Sequence, residues 1–339
     1  MKRAVVLFNL GGPDAPSAVE PFLFNLFNDP AIIGAPWPIR WALAKFISAR
    51  RAPKAQAIYA ELGGASPLLA NTRRQAGALG ATLGGDWRVF IAMRYWHPMA
   101  DETARAVAAW GADKIVLMPL YPQYSTTTSG SSLADWHRAA RRAGLAVETS
   151  TVCCYPTHPA LIAAQAKLVR PLLMEAAEAG KPRLLLSAHG LPKKVVAQGD
   201  PYQWQVEATA RALVDALGIA GLDWQVCYQS RVGPLAWIGP YAEAEIARAG
   251  RDKVPLVVAP IAFVSEHSET LVELDRTYRD LALGAGVPRY RRVPALAEHP
   301  DFIDCLATLA REAAGRQGIG CAQGARRCPK DRARCALAA

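Results

Sequence analysis

The residue order predicts an α/β protein of two similar lobes, each a parallel sheet flanked by helices, with a cleft between them. Three observations carry this reading. Short apolar runs alternate with longer amphipathic segments, the pattern of parallel strands joined by helical crossovers. The runs are apolar almost without interruption, as strands covered on both faces must be. Residues 114–129 (KIVLMPLYPQYSTTTS) are echoed by 253–270 (KVPLVVAPIAFVSEHSET), each a proline-interrupted apolar run followed by a hydroxyl-rich loop, which suggests a duplicated unit. At 339 residues, 51% of them hydrophobic, the chain is long enough for two such cores.

Taken in order, residues 4–8 read as the first strand, because this five-residue run is too short for a signal-peptide core and lacks a cleavage-like site. Asn9-Leu10-Gly11-Gly12-Pro13 follows, without the GxGxxG spacing of a dinucleotide fingerprint and without a P-loop. Segment 31–54 interleaves Trp37, Trp41, Leu43, Phe46 and Ile47 with Arg40, Lys45, Arg50 and Arg51. It reads as a lid over the cleft, as a patch that dips into a membrane interface, or as a packed amphipathic helix with a solvated basic face. Further strands are expected at 88–93, 114–120, 145–150, 183–187, 224–229 and 254–261, with helices at 101–110, 159–178, 203–217 and 241–249. The lobes divide near CCYPTHP (153–159), giving 1–150 and 151–299. No stretch is long and apolar enough to span a bilayer.

The formal net charge of +10 favours phosphates, anionic membrane surfaces or carboxylate-bearing substrates. No zinc-finger, RNP or helix-turn-helix pattern appears, so no nucleic-acid partner is expected. Seven cysteines, an odd count, point to a reducing compartment and to thiols used for metal. Cys321, Cys328 and Cys335 are evenly spaced in the tail, and Cys153 and Cys154 form a remote pair; such soft donors select zinc or an iron–sulfur cluster. Cys227 and Cys305 fall within strand and helix patterns and read as buried structural residues.

Three groups could carry chemistry. His189, in SAHGLP, closes the strand at 183–187, where open α/β sheets bind ligands; its ordinary pKa suits a base, and the plain alternative is a turn histidine bonded to its own loop. Glu266, His267, Glu269 and Glu273 follow the strand at 254–261. A helix starting near Ser265 would put the three acids on one face, as a metal or proton ridge or simply as a solvated first turn. Arg94, Tyr95 and Trp96, with Tyr121 and Tyr124 at the end of the next strand, supply a carboxylate fork and flat apolar surface suited to an aromatic anion, or else ordinary packing.

LFNLGGP, RYWHP, LYPQYSTTTSGSS, SAHGLP, GDPY, YQSRVGPLAWIGP and PIAFVSEHSETLVELD together resemble, in order, the segments of the ferrochelatase family over about residues 4–310. The resemblance implies two Rossmann-like lobes of the chelatase kind. It implies insertion of Fe2+ into protoporphyrin IX with loss of two pyrrole protons, the last step of haem synthesis. His189 and Glu269 would then be catalytic and would meet the Fe2+ substrate, with Glu266, His267 and Glu273 as a proton or metal path. Leu10, Arg94, Tyr95, Tyr121 and Trp237 would line the porphyrin site. The resemblance also implies a helix at 300–315 returning to the first lobe and a cluster-binding tail at 316–339. That tail would hold a [2Fe–2S] cluster, with zinc as the alternative, through Cys321, Cys328, Cys335 and either Cys153 or Cys154. A cytoplasmic chain is expected, with segment 31–54 as a peripheral contact to the inner membrane; no residue pattern sets an oligomeric state.

Overall fold

The structure, a computed structural model, describes all residues except 323, 338 and 339. In chain order the strands are β1 (Arg3–Asn9), β2 (Trp87–Met93), β3 (Lys114–Pro119), β4 (Glu148–Val152), β5 (Arg183–His189), β6 (Asp223–Gln229), β7 (Leu256–Pro260), β8 (Tyr290–Arg292) and β9 (Gly318–Gly320). The α-helices are α1 (Val19–Phe27), α2 (Trp37–Ala60), α3 (Leu68–Leu83), α4 (Ala100–Trp110), α5 (Ser129–Arg142), α6 (Pro159–Ala177), α7 (Lys193–Ala197), α8 (Tyr202–Leu217), α9 (Ala242–Arg251), α10 (Tyr278–Gly284) and α11 (Pro300–Ala314). The described residues form two compact units, one from 1–154 and 306–326, the other from 155–305 and 327–337.

The first unit holds a parallel sheet in the order β2-β1-β3-β4-β9. β1 lies inside the sheet, paired with β2 and β3, and its residues Ala4–Leu7 are wholly buried, as a strand covered on both faces requires. One face packs Phe8 and Leu117 against Trp136 of α5, with the Phe8 and Trp136 rings 6.1 Å apart and tilted. β9, formed by the tail, pairs at the outer edge of β4 through Ser150↔Gly318 and Val152↔Gly320.

α2 is built against the usual rule. Its buried positions are Ala44, Ser48 and Ala52, small residues spaced one turn apart, together with Tyr59. Trp37, Ile39 and Phe46 are 64%, 56% and 66% exposed. Segment 31–54, for which the sequence leaves a lid, a membrane patch and a packed amphipathic helix all open, thus runs into a helix that buries its small side chains and turns its large apolar ones outward. It packs on α1, where Trp41 meets Phe24 edge-on. No helix is long and apolar enough to cross a membrane among the described residues.

The second unit holds a parallel sheet in the order β6-β5-β7-β8. α6 and α8 cover one face, with Val169, Val206 and Leu213 against Leu184 and Leu186, while α9 and α10 supply Ile246 and Ala282 on the other. One expectation is corrected here. A helix does not start at Ser265: the segment before Ser268 is irregular, and Glu269–Thr277 is a π-helix. Its wider turn stacks Glu269 and Glu273 nearly in line, whereas Glu266 is left outside it.

Candidate active site

β5 pairs with β6 through to His189↔Gln229, so the imidazole stands at the carboxyl end of a buried strand. Its Nδ1 lies 2.9 Å from Glu269 Oε2, and the side chain is 36% exposed. An ionised carboxylate can only accept, so Nδ1 carries the proton of this contact and the neutral imidazole keeps its lone pair on Nε2. Burial disfavours a charge on His189, but the Glu269 carboxylate outweighs it and raises the pKa above the ordinary value. Burial likewise opposes ionisation of Glu269, yet His189 and His267 hold it well below the usual carboxylate range.

The next carboxylate behaves in the opposite way. Burial and the charge of Glu269 raise the pKa of Glu273 despite hydrogen bonds from Ser230 and Tyr278. Glu273 accepts from Ser230 N (3.0 Å), Ser230 Oγ (2.5 Å), Tyr278 OH (3.0 Å) and Gln229 Nε2 (3.1 Å). Two carboxylates four residues apart are thus pushed in opposite directions, an arrangement that separates a fixed anion from a proton acceptor. His267 Nε2 lies 3.8 Å from Glu269 Oε2. Glu266 is occupied elsewhere, accepting from Arg292 Nη1 (2.5 Å) and Ala295 N (2.8 Å).

Trp237 stands edge-on to His189, with ring centroids 6.4 Å apart. Gly190 allows this approach: a Cβ there would sit 3.1 Å from both Gln229 O and Trp237 Cε3. Tyr202, from the GDPY segment, donates its hydroxyl to His189 O at 3.1 Å.

In the first unit, Arg94 and Tyr95 converge on Asp29, which no sequence motif marks, and Leu10 packs against the cluster that holds Tyr95. Asp29 is 3% exposed and accepts from Arg94 Nη2 (2.8 Å), Tyr95 OH (2.8 Å), Ser131 Oγ and Ala31 N (2.8 Å). Arg94 also donates to Ser131 (2.6 Å) and reaches Asp135 at 3.6 Å. Tyr95 was expected to offer surface to a ligand, but it is 0% exposed and packs with Val19, Phe22 and Leu10. The reason is physical: a buried carboxylate needs several donors, and Arg94 and Tyr95 supply them. Tyr121, at the end of β3, is partly buried, and burial pushes its phenol up.

The thiols of Cys153, Cys154 and Cys321 are buried and lie within 4.8 Å of one another, with Cys154 Sγ 3.5 Å from Cys321 Sγ. β9 brings them together, since Cys153 N donates to Gly320 O and Ala322 N to Cys154 O. Both internal cysteines join the group. Three converging soft donors fit zinc or an iron–sulfur cluster chemically. In the second unit, Cys328 Sγ accepts from Gln205 Nε2 at 3.1 Å, and Cys328 and Cys335 are 7% and 4% exposed. Cys227 and Cys305 are fully buried, as their strand and helix positions imply.

A family model described as Ferrochelatase matches residues 2–314. The chain belongs to the ferrochelatase family. A ferrochelatase of Caulobacter vibrioides (strain NA1000 / CB15N) is 56% identical over 320 residues, 93% of this chain and 91% of that one. A ferrochelatase of Phenylobacterium zucineum (strain HLK1) is 55% identical over 341 residues, 99% of this chain and 98% of that one. Among solved structures, SirB from Bacillus subtilis with Fe3+ shares the fold at a TM-score of 0.57 and 14% identity, covering 93% of this chain and 96% of that one. SirB of B. subtilis subspecies spizizenii in complex with cobalt, described as a sirohydrochlorin chelatase, matches at 0.54 and 15% over the same shares. Family membership makes this chain a metal chelatase, with porphyrin and Fe2+ as the substrates of the ferrochelatase reaction.

Proposed function

We propose that this chain inserts Fe2+ into protoporphyrin IX with His189 as the base that takes the two pyrrole protons in turn. The observation that carries the assignment is the 2.9 Å contact between His189 Nδ1 and Glu269, which leaves Nε2 as the basic atom at the end of β5. A proton arriving at Nε2 makes an imidazolium whose charge the ionised Glu269 neutralises. Glu269 is too acidic to carry that proton onward. Glu273 is suited to receive it, because burial and its acidic neighbour favour its protonated form. His267 flanks the same carboxylate, and Glu266, tied to Arg292, anchors the segment. His189 and Glu269, an imidazole beside a carboxylate, also suit incoming ferrous iron.

Trp237 in the second unit, and Leu10, Arg94 and Tyr121 in the first, are the proposed porphyrin contacts, as the family resemblance implies; Tyr95, wholly buried against Asp29, supports Arg94 from behind. Arg94 keeps Asp29 as its counter-ion in this role. His189→Ala, assayed anaerobically with ferrous iron and protoporphyrin, should lose about 100-fold or more in turnover while circular dichroism and porphyrin binding persist. Near-normal turnover would remove His189 from the mechanism, and failure of the parent chain to yield a haem spectrum would remove the reaction itself.

Cys321, Cys328, Cys335 and either Cys153 or Cys154, a ligand set that the resemblance implies, are the proposed ligands of a resident [2Fe–2S] cluster, with zinc as the competing metal. Such a cluster supplies a reducible, cross-linking group when bound. The exposed apolar face of α2, with Lys45, Arg50 and Arg51 on the same helix, is the proposed peripheral contact with an anionic inner membrane from the cytoplasm.

A further inference from the structure

The end of the chain is fastened to the turn that leads into α8, and α8 in turn holds the strand end that carries His189. We propose that Tyr202 is a positioning residue for His189 and that the Cys328 segment of the tail, through α8, sets where Tyr202 holds it. This rests on the assignment of His189 as the base.

Every link lies in the second unit. Gly199 has φ +95°, and a Cβ there would sit 2.9 Å from Ala333 N and 3.3 Å from Asp331 O, so the tail backbone lies directly on it. Arg334 N donates to Gly199 O at 3.1 Å. One turn into α8, the fully buried Gln205 aims its amide at Cys328 Sγ, 3.1 Å away. A buried amide donating to a sulfur fixes that sulfur's direction, and is fixed by it in return. Between these two anchors, Asp200, also fully buried, accepts from Tyr202 N at 2.9 Å.

Tyr202 is 8% exposed and packs in the core beside Leu191 and Ile238. Its hydroxyl donates 3.1 Å to His189 O. That carbonyl lies beyond Ser187↔Pro260, the last pairing of β5 with β7. The strand end that carries the base is thus braced on that side by a phenol, whose helix turn is gripped at both ends by the tail. Removing the Cys328 thiol, or binding a metal to it as the proposed ligand set would, changes what Gln205 donates to, and so the seating of that turn.

The test uses the full chain with Tyr202→Phe, Cys328→Ala and the pair combined. Two readouts are taken: the carbon-13 chemical shift of the His189 ring at fixed pH, assigned by its loss in His189→Ala, and kcat separated from KM for porphyrin. Tyr202→Phe should lower kcat severalfold with KM unchanged and should move the His189 resonance. Cys328→Ala should move the same resonance, and the double variant should move it no further than Tyr202→Phe alone. Stripping the unsubstituted chain with ethylenediaminetetraacetate and dithiothreitol should move it too, a measurement that stands even where Cys328→Ala fails to fold. A His189 resonance indifferent to metal stripping, or effects that simply add in the double variant, would overturn the proposal. A resonance that moves in a protein whose turnover survives His189→Ala would uphold the linkage and remove only the base.

Discussion

At the scale of single residues, the chain sets neighbouring groups to opposite tasks by where it places them. Glu269 raises the pKa of His189, so Glu269→Gln should lower kcat and shift the acid limb of the kcat/KM profile to lower pH, because His189 then loses its proton more readily. A limb that stays in place would mean that another group reports in the profile. Asp29 does comparable work for Arg94. Asp29→Ala leaves a guanidinium whose side chain is only 12% exposed without its closest counter-ion and should cost about 3 kcal/mol, read as a fall in the urea midpoint at unchanged slope. His189 was legible from its motif and its place after a strand. Asp29 was not, because a lone acid after α1 carries no spacing signal, and its donors come from residues 31, 94, 95 and 131.

At the scale of elements, the interior strands could be read because burial on both faces leaves an uninterrupted apolar run. β8 and β9 could not: each is three residues long and lies at a sheet edge, and YRR and GIG carry no such run. The π-helix escaped for a different reason. Acids at 266, 269 and 273 imitate the face of a regular helix, and only hydrogen bonding to Arg292 and Ala295 shows that Glu266 has left it. α2 gave its helical period but not its facing, since the residues it buries are the small ones. Its outward Trp37 and Phe46 should drive flotation with vesicles containing anionic lipid, and Trp37→Asp with Phe46→Asp should abolish flotation while circular dichroism is unchanged. Equal flotation of the variant would return this face to the role of a lid.

At the scale of the whole molecule, acid–base linkage ties the His189–Glu269 pair to stability. The share from His189 is full below its unfolded pKa, about 6.5, and is lost as pH rises through its raised folded value. The share from Glu269 is present above its unfolded value, about 4.3, and is lost as pH falls through its depressed folded value. The pair, titrating as a unit, therefore stabilises most between roughly pH 4.3 and 6.5. Glu273 runs opposite to Glu269 and in the same sense as His189, since a raised folded pKa means that its ionisation weakens the fold as pH rises. Urea midpoints measured from pH 5 to 8 should fall with pH through the His189 transition, and Glu269→Gln should flatten that fall. Cys321→Ser should bleach the visible absorbance of anaerobically purified protein and release iron; a colourless parent chain with stoichiometric zinc would settle the metal the other way.

β9 has a consequence for how the molecule is made. The outer rail of β4 is covered by residues 318–320, so it has no neighbour until that much later segment has been translated. At ribosomal speeds that delay is on the order of ten to thirty seconds. Throughout it, the nascent protein shows an open sheet margin to every other chain emerging nearby. Truncated or stalled translation products should therefore be the aggregating species in cells, even though His189 has already been synthesised.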